Sequence, residues 1–217
     1  MFRNLKEDIS TVKSRDPAAR SIIEILFLYP GIKAIRMHRK AYWFYNHGFF
    51  FIARWISQRA SRKTGIEIHP AAKIGKRLFI DHGTGVVIGE TTIIGDDCTL
   101  YQGVTLGGTG KETGKRHPTL GNNVMVGSGA KILGPVQIGN NSRIASGAVV
   151  LRNIPENCTA VGVPARVVKK DGKRIVDDLD QVHFTDPVME KLRRLENEVH
   201  HLKKELKKVE GHKNEDI

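Results

Sequence analysis

Residues 120–150 of this 217-residue chain read LGNNVMVGSGAKILGPVQIGNNSRIASGAVV. An aliphatic residue occupies every sixth position of this stretch, and glycine follows it in several of the units. With two interruptions the same period begins at residue 68, and the positions that share it are Ile68, Ile74, Ile80, Ile88, Ile94, Leu100, Leu106, Leu120, Val126, Ile132, Ile138, Ile144 and Val150. Chance spacing in an ordinary α/β domain would not keep so many positions in phase, so the repeat predicts the fold.

Each six-residue unit is typical of one short strand followed by one tight corner. Four residues after the aliphatic position stands a small or β-branched side chain, namely Thr92, Cys98, Val104, Val124, Ala130, Val136, Ser142 or Ala148. Three such sides close a triangular coil, whose inward side chains stack on those of the neighbouring coils. Glycine at the corners permits backbone angles that other residues avoid.

Two interruptions of the period are the predicted places for a functional site, because a prism of identical coils has no pocket of its own. The step from Ile80 to Ile88 is eight residues long, and the surplus falls in residues 81–85, DHGTG. The second interruption, residues 107–119, is a polar loop that is rich in glycine, lysine and arginine.

The repeats occupy residues 65–168 and are flanked by segments with helical patterning. Residues 1–64 lack the six-residue period and are predicted to form a small helical domain. Over residues 187–210 the apolar positions step alternately by four and three, which is the a/d spacing of a coiled-coil helix. Residues 211–217 are predicted to be a flexible tail. The predicted fold class is therefore α+β.

Composition excludes several functional classes. The formal charge of +12 is spread along the chain without an interleaved aromatic platform, so we predict a solvated basic surface and no nucleic-acid partner. The apolar stretches are shorter than the roughly 20 residues of a membrane-spanning helix, and the start lacks a secretory signal. Two cysteines without CxxC spacing fit a reducing compartment and suggest no structural zinc site. We predict a cytoplasmic protein that contacts no membrane.

His82 is the candidate general base. It lies in the first interruption, with Asp81 beside it and Glu67 about one coil earlier. Histidine suits the role because its pKa is ordinarily near neutrality. A carboxylate bonded to the far ring nitrogen would hold the tautomer and stabilise the imidazolium as it forms.

Several motifs resemble those of serine acetyltransferases, a family of the hexapeptide-repeat acyltransferases. They begin at Asp16-Pro17-Ala18 and continue through residues 67–75, 81–91, 104–111, 116–118 and 162–166. The resemblance implies a left-handed parallel β-helix and direct transfer of acetyl from acetyl-CoA to the hydroxyl of L-serine, in cysteine biosynthesis. It implies acetyl-CoA as a co-substrate, no permanently bound cofactor and no metal.

The resemblance also implies a role for each site residue. His82 is the base, assisted by Glu67, while Asp16 and Asp81 hold the serine ammonium group. Arg116 and His117 grip the serine carboxylate or steady the reacting oxygen. The groups implied for acetyl-CoA are the backbone at the thioester and a run of positions toward the phosphates, namely Gly107, Gly108, Ser128, Ser146, Ala165 and Arg166.

The partners implied by the resemblance are further copies of the chain, small molecules and one protein. Active sites between neighbours imply a homotrimer, and the short helical region favours one trimer over a pair of trimers. L-Cysteine shares the ammonium and carboxylate of serine and is expected to inhibit competitively. A C-terminal tail ending in Ile217 implies binding to O-acetylserine sulfhydrylase.

The sequence departs from the family pattern at three positions. Bacterial relatives often have aspartate where Glu67 stands, and the longer side chain changes the reach toward His82. Ser128 and Ser146 stand where alanines are expected near the pantetheine arm, and each adds one hydroxyl at a solvent-lined groove.

Three alternative functions remain open at this point. An acetyltransferase of the same fold could act on a sugar or similar acceptor. A γ-class carbonic anhydrase would need three histidines on zinc, and His69, His82 and His117 are the candidates. The chain could also be a non-catalytic scaffold.

Simpler structural roles are predicted for the other polar candidates. Asp16 has the position of an N-cap for a helix starting at Pro17, a role compatible with substrate binding. Cys98 falls in the small inward position of its repeat and is predicted to pack in the core. His38, His47 and His69 are predicted to be solvated.

Overall fold

In a computed structural model, described over residues 2–110, 113–174, 195–200 and 202, four helices precede the repeats. They are α1 (Phe2–Arg15), α2 (Ile22–Leu28), α3 (Pro30–Asn46) and α4 (Phe50–Thr64). The α2 helix is capped by the hydroxyl of Ser21, which accepts the N–H of Glu24 at 3.1 Å. Proline begins α3, and Gly65 ends α4 in the left-handed conformation, with φ 70°. The predicted helical N-terminus is confirmed.

The repeats form a parallel β-helix with three faces. The strands are β1 (Ile66–Ile68), β2 (Lys73–Ile74), β3 (Phe79–Ile80), β4 (Val86–Ile88), β5 (Ile93–Ile94), β6 (Thr99–Leu100), β7 (Thr105–Gly107), β8 (Thr119–Leu120), β9 (Met125–Val126), β10 (Lys131–Leu133), β11 (Gln137–Ile138), β12 (Arg143–Ile144), β13 (Val149–Val150), β14 (Cys158–Val161), β15 (Arg166–Lys170) and β16 (Lys173–Arg174). Face 1 has the order β1-β4-β7-β10-β13, face 2 has β2-β5-β8-β11, and face 3 has β3-β6-β9-β12-β14 followed by β15 and β16. Up to β13, every third strand therefore pairs with its equivalent in the next coil, as the repeat predicts. The partner of β12 is β14, because Ile154 forms only an isolated bridge with Ile138 on face 2.

The core of the β-helix consists of the two predicted sets of inward side chains. All the aliphatic positions of the period are buried except Ile74, which is partly buried and packs against the same cluster. The eight small or β-branched positions are buried as well. Ser142 is accommodated there because its hydroxyl donates to the carbonyl of Pro155 at 2.7 Å. The inward register was thus predicted correctly.

Two edges of the prism matter for function. The His82 edge, between faces 3 and 1, comprises residues 81–85, 101–104, 127–130, 145–148 and 162–165. The loop edge, between faces 1 and 2, comprises residues 69–72, 89–92, 108–110 with 113–118, and 134–136. Both interruptions of the period are corners, one on each edge, so neither disturbs the stacking of strands.

The helices cover the first coil of the β-helix, since α3 and α4 both pack against β1. At Gly31 the helix approaches the carbonyl oxygen of Ile80 so closely that a Cβ would lie 2.5 Å from it. Arg39 of α3 holds Asp8 of α1 through both carboxylate oxygens, which ties the first helix to the third. None of the described helices has the length and apolarity needed to cross a bilayer.

The described β structure extends past residue 168, where the β-helix domain was predicted to end. Beyond residue 168 the β structure continues, because β15 and β16 add antiparallel strands up to Arg174. Residues 195–200 and 202 are helical and lie in a second unit. The rest of the predicted coiled-coil helix and the tail to Ile217 lie outside the described residues.

Candidate active site

Asp81 and His82 form the enlarged corner of the first coil on the His82 edge. The N–H of Asp81 donates to the carbonyl of Leu100 at 2.9 Å, which anchors the corner to the second coil. His82 itself has a positive φ of 55°, so its ring projects from a tight turn, and 73% of the side chain is exposed. A side chain at Gly83 would lie 2.5 Å from Ile66 Cδ1, so glycine is required there. The His82 Nε2–Asp81 Oδ1 distance of 4.0 Å leaves the imidazole free of a hydrogen bond to this carboxylate.

Asp16 lies in the turn between α1 and α2, where both of its carboxylate oxygens are bonded. Oδ1 accepts the N–H of Ala18 at 2.8 Å and Oδ2 accepts the hydroxyl of Tyr29 at 2.6 Å. This hydrogen bond, together with burial and the charges of Asp16, Glu24 and Asp81, raises the pKa of Tyr29 to about 12. The charges of Asp16 and Asp81 both raise the pKa of the Tyr29 phenol, so the two predicted ammonium ligands lie near each other.

The predicted helix start at Pro17 was wrong. The α1 helix ends at Arg15, the next helix begins at Ile22, and Ser21 is its N-cap. Asp16 instead closes a turn on the N–H of Ala18, an arrangement that short acidic side chains favour. Its carboxylate is thereby held at the surface of the turn.

A groove of about 420 Å³ runs along the His82 edge. It is lined by His82, Tyr101, Gln102, Met125, Gly127, Ser128, Ile144, Ala145 and Ser146. The hydroxyls of Ser128 and Ser146 are 3.1 Å apart, so successive coils present adjoining polar groups. Ala165 lies on the same edge at the last coil, where its N–H donates to Val149, and Arg166 follows as the first residue of β15. Ser128, Ser146 and Ala165, three of the positions predicted to contact pantetheine, therefore lie on the edge that carries His82.

His117 lies on the loop edge, buried against the backbone of the preceding coil. Its Nδ1 accepts the N–H of Thr91 at 3.2 Å and is 3.0 Å from the Thr91 hydroxyl. The ring lies over Gly89, where a Cβ would overlap it. Burial, reinforced by the charge of Arg116, lowers the pKa of His117. The ring is therefore neutral at neutral pH and held in one orientation.

Arg116 is paired with Glu90, since its Nη2 donates to Glu90 Oε2. The backbone around it is tied down by Lys115, whose Nζ donates to the carbonyl of Thr91 at 2.7 Å and to that of Pro118 at 3.2 Å. Burial lowers the pKa of Lys115. An anionic ligand has to compete with Glu90 for the guanidinium.

Gly107 and Gly108 adjoin this cluster. Gly107 ends β7 opposite Leu133, and a Cβ on Gly107 would lie 2.9 Å from the Leu133 side chain. The N–H of Gly108 has no acceptor among the described residues. The position that a Cβ of Gly108 would take is 3.3 Å from His117 Nε2. Gly108, whose N–H is free within the described chain, therefore lies beside the Nε2 side of the His117 ring.

The chain separates these two groups of residues by the width of face 1. His82 belongs to the corner before β4, whereas the ring of His117 lies over Gly89, the residue after β4. From Gly85 to Gly89 the extended chain spans about 13 Å at a rise of about 3.3 Å per residue. One chain therefore presents two half-sites on different edges.

Glu67 lies on face 1 between these edges, opposite Val87. Its Oε1 is 3.9 Å from Arg54 Nη2, and within the described chain it makes no hydrogen bond to His82. An ion pair this long and exposed contributes little stability. The predicted contact with the base is absent from the single chain.

Residues 117–152 match the family described as bacterial transferase hexapeptide (six repeats). Over 209 residues the chain is 54% identical to serine acetyltransferase from Bacillus licheniformis, and the match covers 96% of this chain and 97% of that protein. The chain belongs to the serine acetyltransferase family.

Solved serine acetyltransferase structures have a similar fold. The enzyme of Brucella abortus strain S19 in complex with coenzyme A gives a TM-score of 0.76 at 44% identity, covering 78% of this chain and 68% of that chain. A serine acetyltransferase in complex with cysteine gives a TM-score of 0.76 at 43% identity, covering 77% of this chain and 70% of that chain.

Within this serine acetyltransferase framework, three predictions about single residues can be judged. Cys98 is buried as predicted, and burial raises its pKa to about 11, which makes it unsuited to nucleophilic attack. His38 was predicted to be solvated, but it is buried, and desolvation lowers its pKa to about 4. His69 is half-buried, and its Nδ1 accepts the N–H of Ala71 at 3.1 Å. Helix packing buries His38, and a corner turn partly buries His69, so neither is solvated as predicted.

Sequence reasoning missed Tyr29 and underrated Glu90 and Thr91. Tyr29 stands in Tyr29-Pro30-Gly31, a helix-breaking sequence that carries no chemical signal, and its contact with Asp16 depends on how the segments around α1 and α3 pack. Glu90 and Thr91 lie within the family motif of residues 81–91, but neither of them was assigned a role from the sequence. Among the described residues, no cluster of three or more histidine, cysteine or acidic side chains could hold a metal ion.

Proposed function

We propose that the chain transfers acetyl from acetyl-CoA to the hydroxyl of L-serine, giving O-acetyl-L-serine for cysteine biosynthesis. Membership of the serine acetyltransferase family, at 54% identity over nearly the whole chain, carries this proposal. It favours serine over a sugar acceptor and an enzyme over a scaffold. Acetyl-CoA enters as co-substrate, and no permanently bound cofactor or metal takes part.

The active unit is a homotrimer in which each site is shared by two protomers. In a closed ring every interface is heterologous, so it joins one edge of a protomer to a different edge of its neighbour. The placement of His82 and His117 on different edges of one chain is the observation that supports this arrangement. Contact between the His82 edge of one copy and the loop edge of the next would unite the half-sites.

Serine is bound through its two charged groups. The carboxylates of Asp16 and Asp81 receive the ammonium group, since both lie near Tyr29 and neither is paired with a lysine or arginine of the described chain. Arg116 and His117 of the adjoining edge bind the serine carboxylate. The guanidinium of Arg116 breaks its hydrogen bond to Glu90 and forms one to the substrate instead. The serine hydroxyl is then directed toward His82.

His82 takes the proton of the serine hydroxyl as the oxygen attacks the thioester carbon. The carbonyl oxygen becomes an oxyanion, which the free N–H of Gly108, beside Gly107, stabilises. The C–S bond then breaks, the ester carbonyl forms, and the leaving thiolate of CoA takes the proton from His82. Transfer is direct, because Cys98 is buried with a raised pKa.

Glu67 is retained as the carboxylate that orients His82 in the assembled trimer. Its long contact with Arg54 leaves the carboxylate available for a stronger hydrogen bond. Pantetheine lies in the groove past Ser128 and Ser146, and the phosphates reach Ala165 and Arg166. The basic residues of β15 and β16 complement the negative charge of the CoA phosphates.

The remaining partners are also proposals. L-Cysteine competes with serine because it presents the same ammonium and carboxylate groups. The C-terminal Ile217, which lies outside the described residues, is proposed to bind O-acetylserine sulfhydrylase in the cytoplasm.

A coupled thiol-release assay with acetyl-CoA and L-serine tests the reaction, with sugar acceptors as the comparison. Release of CoA thiol that depends on serine supports the proposal, and preference for a sugar contradicts it. Sedimentation of the active species tests the trimer, since an active monomer would refute the shared site.

A further inference from the structure

Thr91 occupies the centre of the loop edge, between β4 and β5. Its side-chain oxygen accepts two backbone N–H groups, that of Arg116 at 3.0 Å and that of His117 at 3.0 Å. These bonds join residues that are 25 and 26 positions apart in the sequence. One hydroxyl therefore closes the base of the 107–119 loop onto the preceding coil.

The hydrogen-bonding capacity of this hydroxyl determines where its proton goes. A threonine hydroxyl has two acceptor lone pairs and one donor hydrogen. Both acceptor positions of Thr91 are used by the backbone of Arg116 and His117, and the remaining partner among the described residues is His117 Nδ1, at 3.0 Å. The hydroxyl must then donate to Nδ1.

The backbone of Thr91 gives the same result independently, because its N–H also donates to His117 Nδ1, at 3.2 Å. A nitrogen that accepts hydrogen bonds carries no proton, so a neutral imidazole with this geometry has its proton on Nε2. Nε2 is on the side of the ring that faces Gly108.

We propose that Thr91 is a positioning residue that holds His117 in the Nε2–H tautomer and so makes it a hydrogen-bond donor to an anionic oxygen of the bound substrate. The proposal rests on the substrate-binding role assigned to His117 above. In this proposal His117 is a neutral hydrogen-bond donor with a fixed orientation, and His82 removes the proton of the serine hydroxyl. Gly89 assists, because any Cβ there would displace the ring.

The surroundings of His117 are consistent with a neutral ring. Burial is the main cause of its lowered pKa, and the charges of Arg116 and Lys115 act in the same direction while Glu90 opposes them. His69 also lies near enough for the two rings to influence one another. If Nδ1 carried a proton, that hydrogen would also lie against the N–H hydrogen and the hydroxyl hydrogen of Thr91.

The test compares Thr91→Val, which keeps the shape and the backbone N–H but removes the hydroxyl, with Thr91→Ser, which keeps the hydroxyl. Thr92→Val is the matched control, because the hydroxyl of Thr92 is buried and has no hydrogen-bond partner within the described chain. The ¹⁵N resonances of the His117 ring report the tautomer. They are assigned by their absence from the spectrum of His117→Gln, which lacks the ring. The parent protein, Thr91→Ser and Thr92→Val should show a protonated Nε2 and an unprotonated Nδ1.

Thr91→Val leaves only the longer of the two bonds to Nδ1, that of the backbone N–H at 3.2 Å, and should therefore weaken the preference and shift the His117 signals toward a mixture of tautomers. It should also lower kcat/KM for serine about tenfold, the usual effect of losing one hydrogen bond, with the KM of acetyl-CoA unchanged. An Nδ1–H tautomer in the parent protein, or a Thr91→Val variant with unchanged signals and turnover, would overturn the proposal. Failure of Thr91→Ser to restore both would overturn it as well. If His117→Gln turned over serine normally while the tautomer still depended on Thr91, only the substrate role of His117 would be lost.

Discussion

Mixing two inactive variants tests whether each site is built from two protomers. His82→Ala removes the base from the His82 edge and should lower turnover by about two to four orders of magnitude. Arg116→Ala damages the loop edge of the same chain, and at low serine concentration it should also be nearly inactive. Each variant retains the half-site that the other lacks.

The recovery expected from mixed trimers follows from the separation of the two edges. A shared site works when its His82 edge comes from an Arg116→Ala protomer and its loop edge from a His82→Ala protomer. With equal amounts and random assembly, each condition holds for half of the protomers, so about a quarter of all sites are intact. If both edges served one site within a chain, no site would be intact.

Co-expression of the two variants with different affinity tags allows mixed trimers to be isolated and assayed by thiol release. Isolation through both tags removes the homotrimers, so each trimer assayed has one intact site of three, and about a third of parent turnover at low serine concentration is expected. The matched control combines His82→Ala with Asp81→Asn, whose positions lie in the same corner, so no site regains both groups. Absence of recovery in the first mixture, or equal recovery in the control, would refute the shared site.

Three further outcomes are expected. Arg116→Ala should raise the KM of serine by about ten- to a hundredfold and weaken inhibition by L-cysteine in parallel, which inhibition kinetics will measure; undiminished inhibition would place cysteine at a separate site. His38→Leu should reduce acid destabilisation, because the unfolded chain protonates His38 below its ordinary pKa of 6.5 whereas the folded chain does so only near 4. Urea unfolding at one protein concentration measures this effect. Between pH 6.5 and about pH 4, the free energy of unfolding of the parent should fall by up to about 3 kcal/mol more than that of His38→Leu. Equal losses in the two proteins would contradict the prediction. Deletion of Ile217 should abolish binding to O-acetylserine sulfhydrylase, measured by calorimetry, while acetyl transfer is spared; undiminished binding would exclude the tail.

The six-residue period was sufficient to predict the β-helix and its core, because inward positions of a coil are set by the local alternation of strand and corner. It assigned Cys98 and Ser142 to the interior correctly. Local reasoning failed at His38, where the packing of the helices decided burial, and at Pro17, where Asp16 closes a turn on the N–H of Ala18. Side chains in the helical domain have no comparable repeat to constrain them.

The sequence by itself determined the coil, the two interruptions and the residue types that could serve acetyl transfer. Only the tertiary structure decided that His82 and His117 lie on different edges, that Tyr29 bonds Asp16, and that Thr91 bonds His117. The physical reason is the length of a coil. Hydrogen bonds across adjacent coils join residues some 20 positions apart, and an inserted loop changes that number, so the partners follow from stacking and closure in three dimensions.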